Sequence, residues 1–256
     1  MSNYDNLDLN RFRSWASHIQ EISIKSYGDA TARYKRDGSL VTQVDEEVED
    51  FLASEISKYY PDHSVLGEER GSRSPSLHWN NCKSGLWIID PIDGTEVYYS
   101  KLPTYANSIA LYHGKKCHYA AINLPGTDQK FEFWKGNPLL DQLPLPSVEK
   151  FHSNMMASSH YAKYFNVPED IKVRALGSIC FHGCSLLQGL CQAVLINKAS
   201  IWDLAALWPM LQSRGFVMLR KDGQQFEMPL DPSQTSIDHA FLITHQSLKN
   251  SVLAKV

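Results

Sequence analysis

The chain of 256 residues carries 25 Lys and Arg against 28 Asp and Glu, a net charge of −3 at pH 7. Its length suits one large domain or two closely packed halves, and its hydrophobic content of 43% is ordinary for a soluble globular protein. The charge balance excludes a general electrostatic attraction to nucleic acid or to an anionic membrane. An anionic ligand must therefore be bound by local groups, such as metal ions or backbone amides.

The cysteines are odd in number and lack C-x-x-C spacing, so we expect reduced thiols in a cytoplasmic protein. They are Cys82, Cys117, Cys180, Cys184 and Cys191. Cys180 and Cys184 could ligate a metal, but no His or Cys partner stands at zinc-site spacing from them. The N-terminus has no signal-peptide pattern, and polar residues interrupt the apolar stretch of residues 186–196, so we expect no membrane span.

Hydrophobic periodicity predicts a first half that opens with helices and continues with strands. The helices cover residues 9–22 and 44–59, and the strands cover 64–66, 86–89, 106–112, 118–124 and 130–134. A polar segment of residues 35–45 leads into the second helix, and residues 71–84 read as an exposed loop. No internal repeat or low-complexity segment is present.

Residues 136–146 contain three prolines and little pattern, which predicts an irregular join between halves 1–137 and 138–256. Strands and helices alternate beyond it. The predicted strands are 172–176, 193–196, 216–219 and 241–244, and the predicted helices are 178–189 and 203–214. The sequence therefore predicts a layered α/β second half packed against a more antiparallel first half.

The strand of residues 86–89 stops at the sequence Asp90-Pro91-Ile92-Asp93-Gly94-Thr95. Pro91 biases Asp90 toward an extended backbone, which places the first carboxylate at the end of the strand. Gly94 can adopt a backbone conformation closed to other residues, and Thr95 stands where a helix could begin. Two carboxylates beside bare amides suit a divalent cation and a phosphate. A strand that ends in an ordinary Asp-Gly turn is the structural alternative.

Further acidic residues stand where predicted strands end or helices begin, namely Asp45, Glu68 and Asp203. Each has a structural explanation, because Asp45 and Asp203 suit helix caps and Glu68 could form a solvated pair with Glu69. If they converge, however, two carboxylates 4 Å apart repel by about 4 kcal/mol at an effective dielectric near 20. Such a cluster requires cations or shifted pKa values. Oxygen ligands favour Mg²⁺, and no His pair offers a zinc site.

The combination of motifs resembles the inositol monophosphatase family of metal-dependent phosphomonoesterases. The residues that carry the resemblance, in the order of the family, are Lys35-x-Asp37-Gly38-Ser39-x-Val41-Thr42-x-x-Asp45, Tyr60-Pro61-Asp62-His63, Gly67-Glu68-Glu69, Asp90 to Thr95, Ser108-Ile109-Ala110-Leu111, Leu176-Gly177-Ser178 and Trp202-Asp203. They span about residues 35–220. The first and second of these motifs, together with the residues after Asp203, look most like the histidinol-phosphatase branch.

The resemblance implies a layered αβαβα sandwich of the inositol monophosphatase/fructose-1,6-bisphosphatase type. The first half would carry most metal ligands and the phosphate loop, and the second half would carry Asp203 and the substrate pocket. The family also implies Mg²⁺ as cofactor, at two to three ions with Mn²⁺ able to substitute, together with inhibition by lithium. A homodimer is usual for such proteins, and the expected ligand is a small phosphomonoester.

The resemblance also assigns roles to single residues. Glu68, Asp90 and the Ile92 carbonyl would hold one Mg²⁺, and Asp90, Asp93 and Asp203 a second, while Glu68 would help to hold a weaker third. The phosphate would sit on the amides of Gly94 and Thr95. Thr95 and Asp45 would orient and deprotonate the attacking water, with Glu68 as a further catalytic residue and Ser178 and Asp203 at the substrate. Lys35 either adds positive charge near the site or is a solvated loop lysine.

Departures from the family gather on the substrate side. Glu96 follows the phosphate loop, and Ser100-Lys101 replaces a small-residue turn. Ile196 stands where inositol phosphatases carry an acidic residue, with Asn197 and Lys198 beside it. We therefore expect phosphatase chemistry with an altered leaving-group pocket, acting on histidinol phosphate, inositol phosphate or a sugar phosphate. The alternatives are a 3′(2′),5′-bisphosphate nucleotidase and a non-catalytic protein that binds metal or phosphate.

Overall fold

The computed structural model describes residues 7–72, 85–229 and 234–256. In these ranges the helices are α1 (Leu9–Lys25), α2 (Gln43–Tyr59), α3 (Thr95–Tyr99), α4 (Ile179–Leu187), α5 (Ile201–Ala205), α6 (Leu207–Ser213) and α7 (Lys249–Leu253). The strands are β1 (Ala32–Tyr34), β2 (Leu40–Thr42), β3 (Ser64–Gly67), β4 (Gly71–Ser72), β5 (Leu86–Asp93), β6 (Ala106–His113), β7 (Lys116–Leu124), β8 (Gln129–Trp134), β9 (Asn137–Leu140), β10 (Leu143–Pro144), β11 (Met155–Ala157), β12 (Val173–Arg174), β13 (Ala193–Ile196), β14 (Ala199–Ser200), β15 (Phe216–Arg220), β16 (Ser236–Ile237) and β17 (Phe241–His245).

The first half forms an eight-stranded sheet in the order β10-β9-β8-β7-β6-β5-β3-β4. Only β3 and β5 run parallel, and the other neighbours are antiparallel. The irregular join predicted over residues 136–146 is wrong for most of its length, because β9 and β10 extend this sheet as a hairpin next to β8. Pro144 is tolerated because β10 is the edge strand of the sheet. The chain leaves the first sheet after Pro144.

The second half contains a five-stranded sheet in the order β12-β11-β13-β17-β15. Strand β11 is parallel to β12 and β13, whereas β17 is antiparallel to both of its neighbours. The antiparallel pairs β1–β2 and β14–β16 stand apart from both sheets. The sequence analysis missed β11, which is short, and β12 covers only the centre of the strand predicted over residues 172–176.

Side chains of the central strands alternate between two buried faces. In β5, Leu86 and Ile88 face the interior between the two sheets, whereas Trp87 and Ile89 pack against α1 and α2. Helices α4, α5 and α6 fill the space between the sheets, and α7 packs on the outer face of the second sheet. This order of helix, sheet, helix, sheet and helix confirms the predicted layered fold.

The helix predicted to follow Asp203 begins earlier and divides in two. Helix α5 starts at Ile201, so Asp203 lies in its first turn, and Ala206 separates α5 from α6. Pro209 is tolerated because it lies in the first turn of α6, where its missing N–H has no helical partner.

Three further predictions concern the chain as a whole. Across the described ranges, no helix combines the length and the apolar character that a bilayer crossing needs. Four cysteines, Cys117, Cys180, Cys184 and Cys191, are free and buried, as expected, while Cys82 lies outside the described residues. The exposed loop predicted over residues 71–84 also falls outside them from residue 73 onward, and residues 71–72 form β4.

Candidate active site

A β-bulge at the end of β5 brings two aspartates to one side of the sheet. Asp90 pairs with Ser108 and Asp93 pairs with Ala106. Between these two pairs β5 therefore has two residues, whereas β6 has one. Because side chains alternate along a strand, residues at this spacing would face opposite sides of a regular strand. The extra residue of the bulge returns the second side chain to the same side of the sheet as the first. Both aspartates thus lie on the face that meets the middle helical layer.

The third carboxylate of the site comes from α5. Asp203 is the third residue of this helix, and its Oδ2 accepts the backbone N–H of Ser200 at 2.7 Å. One carboxylate oxygen from each of Asp90, Asp93 and Asp203 can be chosen so that all three lie within 4.8 Å of one another. The convergence predicted from the sequence is therefore present for these three residues.

The two bulge aspartates differ in their hydrogen bonds. Asp93 accepts from the Ser178 hydroxyl at 2.7 Å and from the backbone N–H groups of Ile179, at 3.2 Å, and Cys180 at the start of α4. Neither carboxylate oxygen of the buried Asp90 has a hydrogen-bond partner among the described residues. Burial, followed by repulsion from Glu68 and Asp93, holds the pKa of Asp90 well above its usual range.

Burial and neighbouring carboxylates act on the other two members as well. Burial raises the pKa of Asp93, although the hydrogen bonds from Ser178 and from α4 oppose this rise. Burial and the charge of Asp93 raise the pKa of Asp203 well above its usual range. Three acidic side chains, of which Asp90 and Asp93 are buried and Asp203 is half-buried, supply oxygen donors that fit a hard divalent cation. The donor set contains no nitrogen or sulfur, which favours Mg²⁺ over Zn²⁺.

A second pair of predicted site residues, Asp45 and Thr95, also meets. Thr95 Oγ1 lies 3.2 Å from Asp45 Oδ1 and 3.1 Å from the Ile92 carbonyl oxygen. The other oxygen of Asp45 accepts from Thr42, through its hydroxyl at 2.6 Å and its backbone N–H at 2.8 Å. Burial raises the pKa of Asp45 to about 6, against the lowering effect of these hydrogen bonds. A carboxylate whose pKa lies near neutral pH and which contacts a hydroxyl is suited to proton transfer.

Glu68 borders the site but does not belong to the tight group of three. It follows β3, and its backbone N–H reaches the Ile89 carbonyl at 3.3 Å, one residue before Asp90. Its carboxylate contacts Lys35 Nζ at 2.9 Å, and the same ammonium contacts Glu69 at 2.7 Å. Burial raises the pKa of Glu69 to about 7, partly offset by Lys35. Lys35, for which the sequence left a charge near the site and a solvated loop lysine as alternatives, thus supplies positive charge to this glutamate pair.

Glu49 is a buried residue that the sequence analysis missed. Its two carboxylate oxygens accept the backbone N–H groups of Glu69 at 2.9 Å and Arg70 at 3.1 Å. A Cβ at Gly67 would stand 2.2 Å from the Glu49 carboxylate carbon, so this close approach requires glycine. Glu49 therefore fixes the turn that presents Glu68. The only sequence signal was its place on the apolar face of α2, where a glutamate is unexpected.

The loop after the bulge is shaped by two glycines that touch across the halves. Gly94 has φ of +89°, and a Cβ there would stand 3.1 Å from the Gly177 carbonyl oxygen. Gly177 has φ of +87°, and its Cβ would stand 2.2 Å from Val97. Ser178, the next residue, caps α4 by accepting from the Phe181 N–H at 2.9 Å and donates to Asp93. The predicted phosphate loop of the first half therefore packs directly against the start of α4 in the second half.

The sequence model of the inositol monophosphatase family matches residues 12–255. The chain belongs to this family. It is 25% identical over 212 residues to an inositol monophosphatase of Dictyostelium discoideum, covering 79% of this chain and 74% of that protein. It is also 25% identical over 213 residues to the fructose-1,6-bisphosphatase/inositol-1-monophosphatase of Aquifex aeolicus, covering 77% of this chain and 75% of that protein.

Solved structures share the fold. A crystal structure of an IMPase/NADP phosphatase complexed with Mg²⁺ and phosphate aligns with a TM-score of 0.78 at 19% identity, covering 96% of this chain and 93% of that chain. The prediction of an inositol monophosphatase family member, and with it of a phosphoric ester hydrolase, is confirmed. The histidinol-phosphatase branch stays a prediction.

A cavity of about 370 Å³ opens beside the carboxylates of this family member, and three acidic residues, Glu68, Asp93 and Asp203, line one side of it. From the second half it is lined by Ser158, Ser159, His160, Asn197, Lys198 and Trp202. Ile196 is fully buried in the core, so Asn197 and Lys198 face the cavity in its place. Apart from Glu68, Asp93 and Asp203, none of the described residues lining the cavity is acidic. The altered leaving-group pocket stays a prediction.

The other departures from the family lie outside this cavity. Glu96 is exposed and is absent from the described cavity lining. Lys101 takes φ of +61°, a left-handed conformation that a glycine would adopt with less strain. The turn after α3 therefore contains a lysine at a position that would suit a glycine.

Proposed function

We propose that the chain is a Mg²⁺-dependent phosphatase that hydrolyses a small phosphomonoester. The observation that carries the proposal is the buried Asp90, which lies beside Asp93 and Asp203 and whose two carboxylate oxygens have no hydrogen-bond partner in residues 7–72, 85–229 and 234–256. Left without a cation, such neighbours repel by about 4 kcal/mol per pair at 4 Å and an effective dielectric of 20. A cation between them converts this repulsion into binding, which explains why the sequence places three acids so close together.

The proposed ligands are those of the sequence analysis: Glu68, Asp90, the Ile92 carbonyl, Asp93 and Asp203. When bound, Mg²⁺ would lower the pKa of water and neutralise charge on the phosphoryl oxygens. In this proposal, Asp45 and Thr95 orient the attacking water and Asp45 takes its proton, consistent with their separation of 3.2 Å. The backbone N–H groups of Gly94 and Thr95 would bind the phosphate, and Ser178 would hold Asp93 in place.

Two carboxylates are available for different tasks because their surroundings differ. Asp45 is hydrogen-bonded to hydroxyl groups, which suits a base, whereas Asp90 accepts no hydrogen bond from the part of the chain that the structure describes, which suits a ligand. A non-catalytic binder of metal or phosphate has no need of the Asp45–Thr95 pair. The proposal therefore favours catalysis over binding alone.

The cavity supports a small leaving group, for which histidinol, inositol and sugar phosphates are the candidates, with bisphosphorylated nucleosides as the alternative. Its rim offers hydroxyls, an amide and the side chains of His160 and Lys198. Within the same proposal we place two or three Mg²⁺ ions, substitution by Mn²⁺, inhibition by lithium, a homodimer and a cytoplasmic location.

The test is hydrolysis of p-nitrophenyl phosphate and of a panel of natural phosphomonoesters, with and without metal. Turnover should vanish after exhaustive chelation and return with Mg²⁺ or Mn²⁺. A comparison of kcat/KM across histidinol phosphate, inositol phosphates, sugar phosphates and phosphoadenosine phosphate assigns the substrate class. Undiminished turnover in the chelated protein would contradict the proposal.

A further inference from the structure

The bulge of β5 interrupts the regular hydrogen bonding beside the aspartates. On β5, Pro91 and Ile92 lie between the two aspartates, whereas β6 offers only Asn107 opposite them. Pro91 also has no backbone N–H to donate. Because a bulge leaves such residues outside the regular ladder, its conformation must be fixed by other groups.

Asn107 supplies such a group through its side chain. It is fully buried, and its Nδ2 donates to the Pro91 carbonyl oxygen at 2.7 Å and to Ser23 Oγ at 2.7 Å. Ser23 donates its own hydroxyl proton to the Ile19 carbonyl at 2.8 Å, so its oxygen accepts from Asn107. Both contacts require the amide nitrogen on this side, which fixes the orientation of the Asn107 side chain.

We propose that Asn107 is a positioning residue that holds the β5 bulge in the conformation from which Asp90 and Asp93 bind a divalent cation. The inference rests on the function proposed above. Without the Asn107 amide, the Pro91 carbonyl becomes a buried acceptor that lacks this donor. The peptide then gains freedom to rotate, and the strand can relax toward a regular register, in which the two aspartates face opposite sides. Cation affinity falls because the oxygen donors separate.

A matched control lies on the next strand. Asn123 is the cross-strand partner of Asn107 in the pairing of β6 with β7, and it is also buried. Its Nδ2 donates to the Ala16 carbonyl oxygen of α1 at 2.6 Å. Both asparagines therefore tie the sheet to α1, but only Asn107 also holds the bulge.

The experiment is a Mn²⁺ titration followed by the electron paramagnetic resonance of the free ion. It compares the wild-type protein with Asn107→Leu and Asn123→Leu, and with Asn107→Ala and Asn123→Ala as replacements that avoid crowding. The dissociation constant should rise about tenfold in the Asn107 variants, the size expected for one buried hydrogen bond. The Asn123 variants should stay within about twofold of the wild type, although thermal stability falls in both pairs.

The outcomes separate this inference from the proposed function. Asn107 variants that keep the wild-type affinity for Mn²⁺, that lose no more of it than the Asn123 variants, or that fail to fold would overturn the positioning role. A wild-type protein that binds no Mn²⁺ would instead overturn the proposed function on which the role depends.

Discussion

Two aspartates of this chain hold the same local position in different halves of the molecule. Asp45 is the third residue of α2 and Asp203 the third residue of α5. Each accepts the backbone N–H of the residue that precedes its helix, Thr42 at 2.8 Å and Ser200 at 2.7 Å. By local sequence alone, both are acidic residues that stabilise a helix start.

Their tertiary neighbours make them different chemical groups. Asp45 meets the hydroxyls of Thr42 and Thr95 and no other carboxylate at hydrogen-bond distance among the described residues, and burial raises its pKa to about 6. Asp203 instead faces the two buried carboxylates of β5. The same local motif therefore provides a candidate base in one half and a candidate cation ligand in the other. The difference comes from what the fold places opposite each helix.

The largest effect is expected from replacing Asp203, because the two aspartates are assigned different roles and only Asp203 is expected to bind the metal. Asp203→Asn keeps the shape of the side chain but removes one charge from the group of three. We expect activity to fall by more than about 100-fold, beyond what residues around metal ligands usually cost. In the chelated protein the variant should melt at a higher temperature than the wild type, because repulsion is relieved.

The stabilising effect of Mg²⁺ provides the measurement. A ligand at 100 times its dissociation constant stabilises the native state by about 2.7 kcal/mol, so the wild-type melting temperature should rise on addition of Mg²⁺. The Asp203→Asn variant should lose most of this rise, whereas the exposed Asp238→Asn control should keep it. An undiminished rise in Asp203→Asn would remove this residue from the cation site.

The second effect is on turnover rather than on metal binding. Asp45→Asn preserves an acceptor for Thr42 but provides no base, and general base catalysis contributes about 100-fold or more. We expect kcat to fall by about this factor, while KM and the Mg²⁺-dependent rise in melting temperature stay near the wild-type values. A variant that loses the rise in melting temperature and keeps kcat would exchange the roles assigned to the two aspartates.

Much of the fold was predictable because its strands are short, apolar and bounded by turns. Strand β13 covers the residues predicted for it, and β6, β7, β15 and β17 differ from their predictions by at most two residues at either end. The hairpin β9–β10 was missed because two of its residues are prolines and it lies at a sheet edge, where its exposed side chains leave little apolar pattern. Periodicity reports burial, so weakly buried strands escape it.

The site was predictable in its residue types but not in how they are held. The sequence motif predicts that Asp90 and Asp93 act together, although strand periodicity alone would place them on opposite faces. The bulge that resolves this conflict depends on the pairing with β6, which no local pattern near Asp90 reveals. Glu49 was likewise missed, and the role of Lys35 stayed open, because their partners, the residues around Glu68, lie far along the chain.

The smallest expected effect concerns the hydroxyl that distinguishes Asp45 from Asp203. Thr42→Val removes the donor to Asp45 Oδ2 at 2.6 Å and the acceptor at the N-terminus of α2. Loss of such a cap costs about 1 kcal/mol of stability. Because the hydrogen bond favours the charged carboxylate, its loss raises the pKa of Asp45 further above its usual range. A base must be deprotonated, so the acidic limb of the kcat/KM profile should move to higher pH, by up to about one unit.

Thr42→Ser keeps the hydroxyl and should leave the acidic limb of the profile in place. A profile that shifts equally in both variants would show that Asp45 does not set this limb.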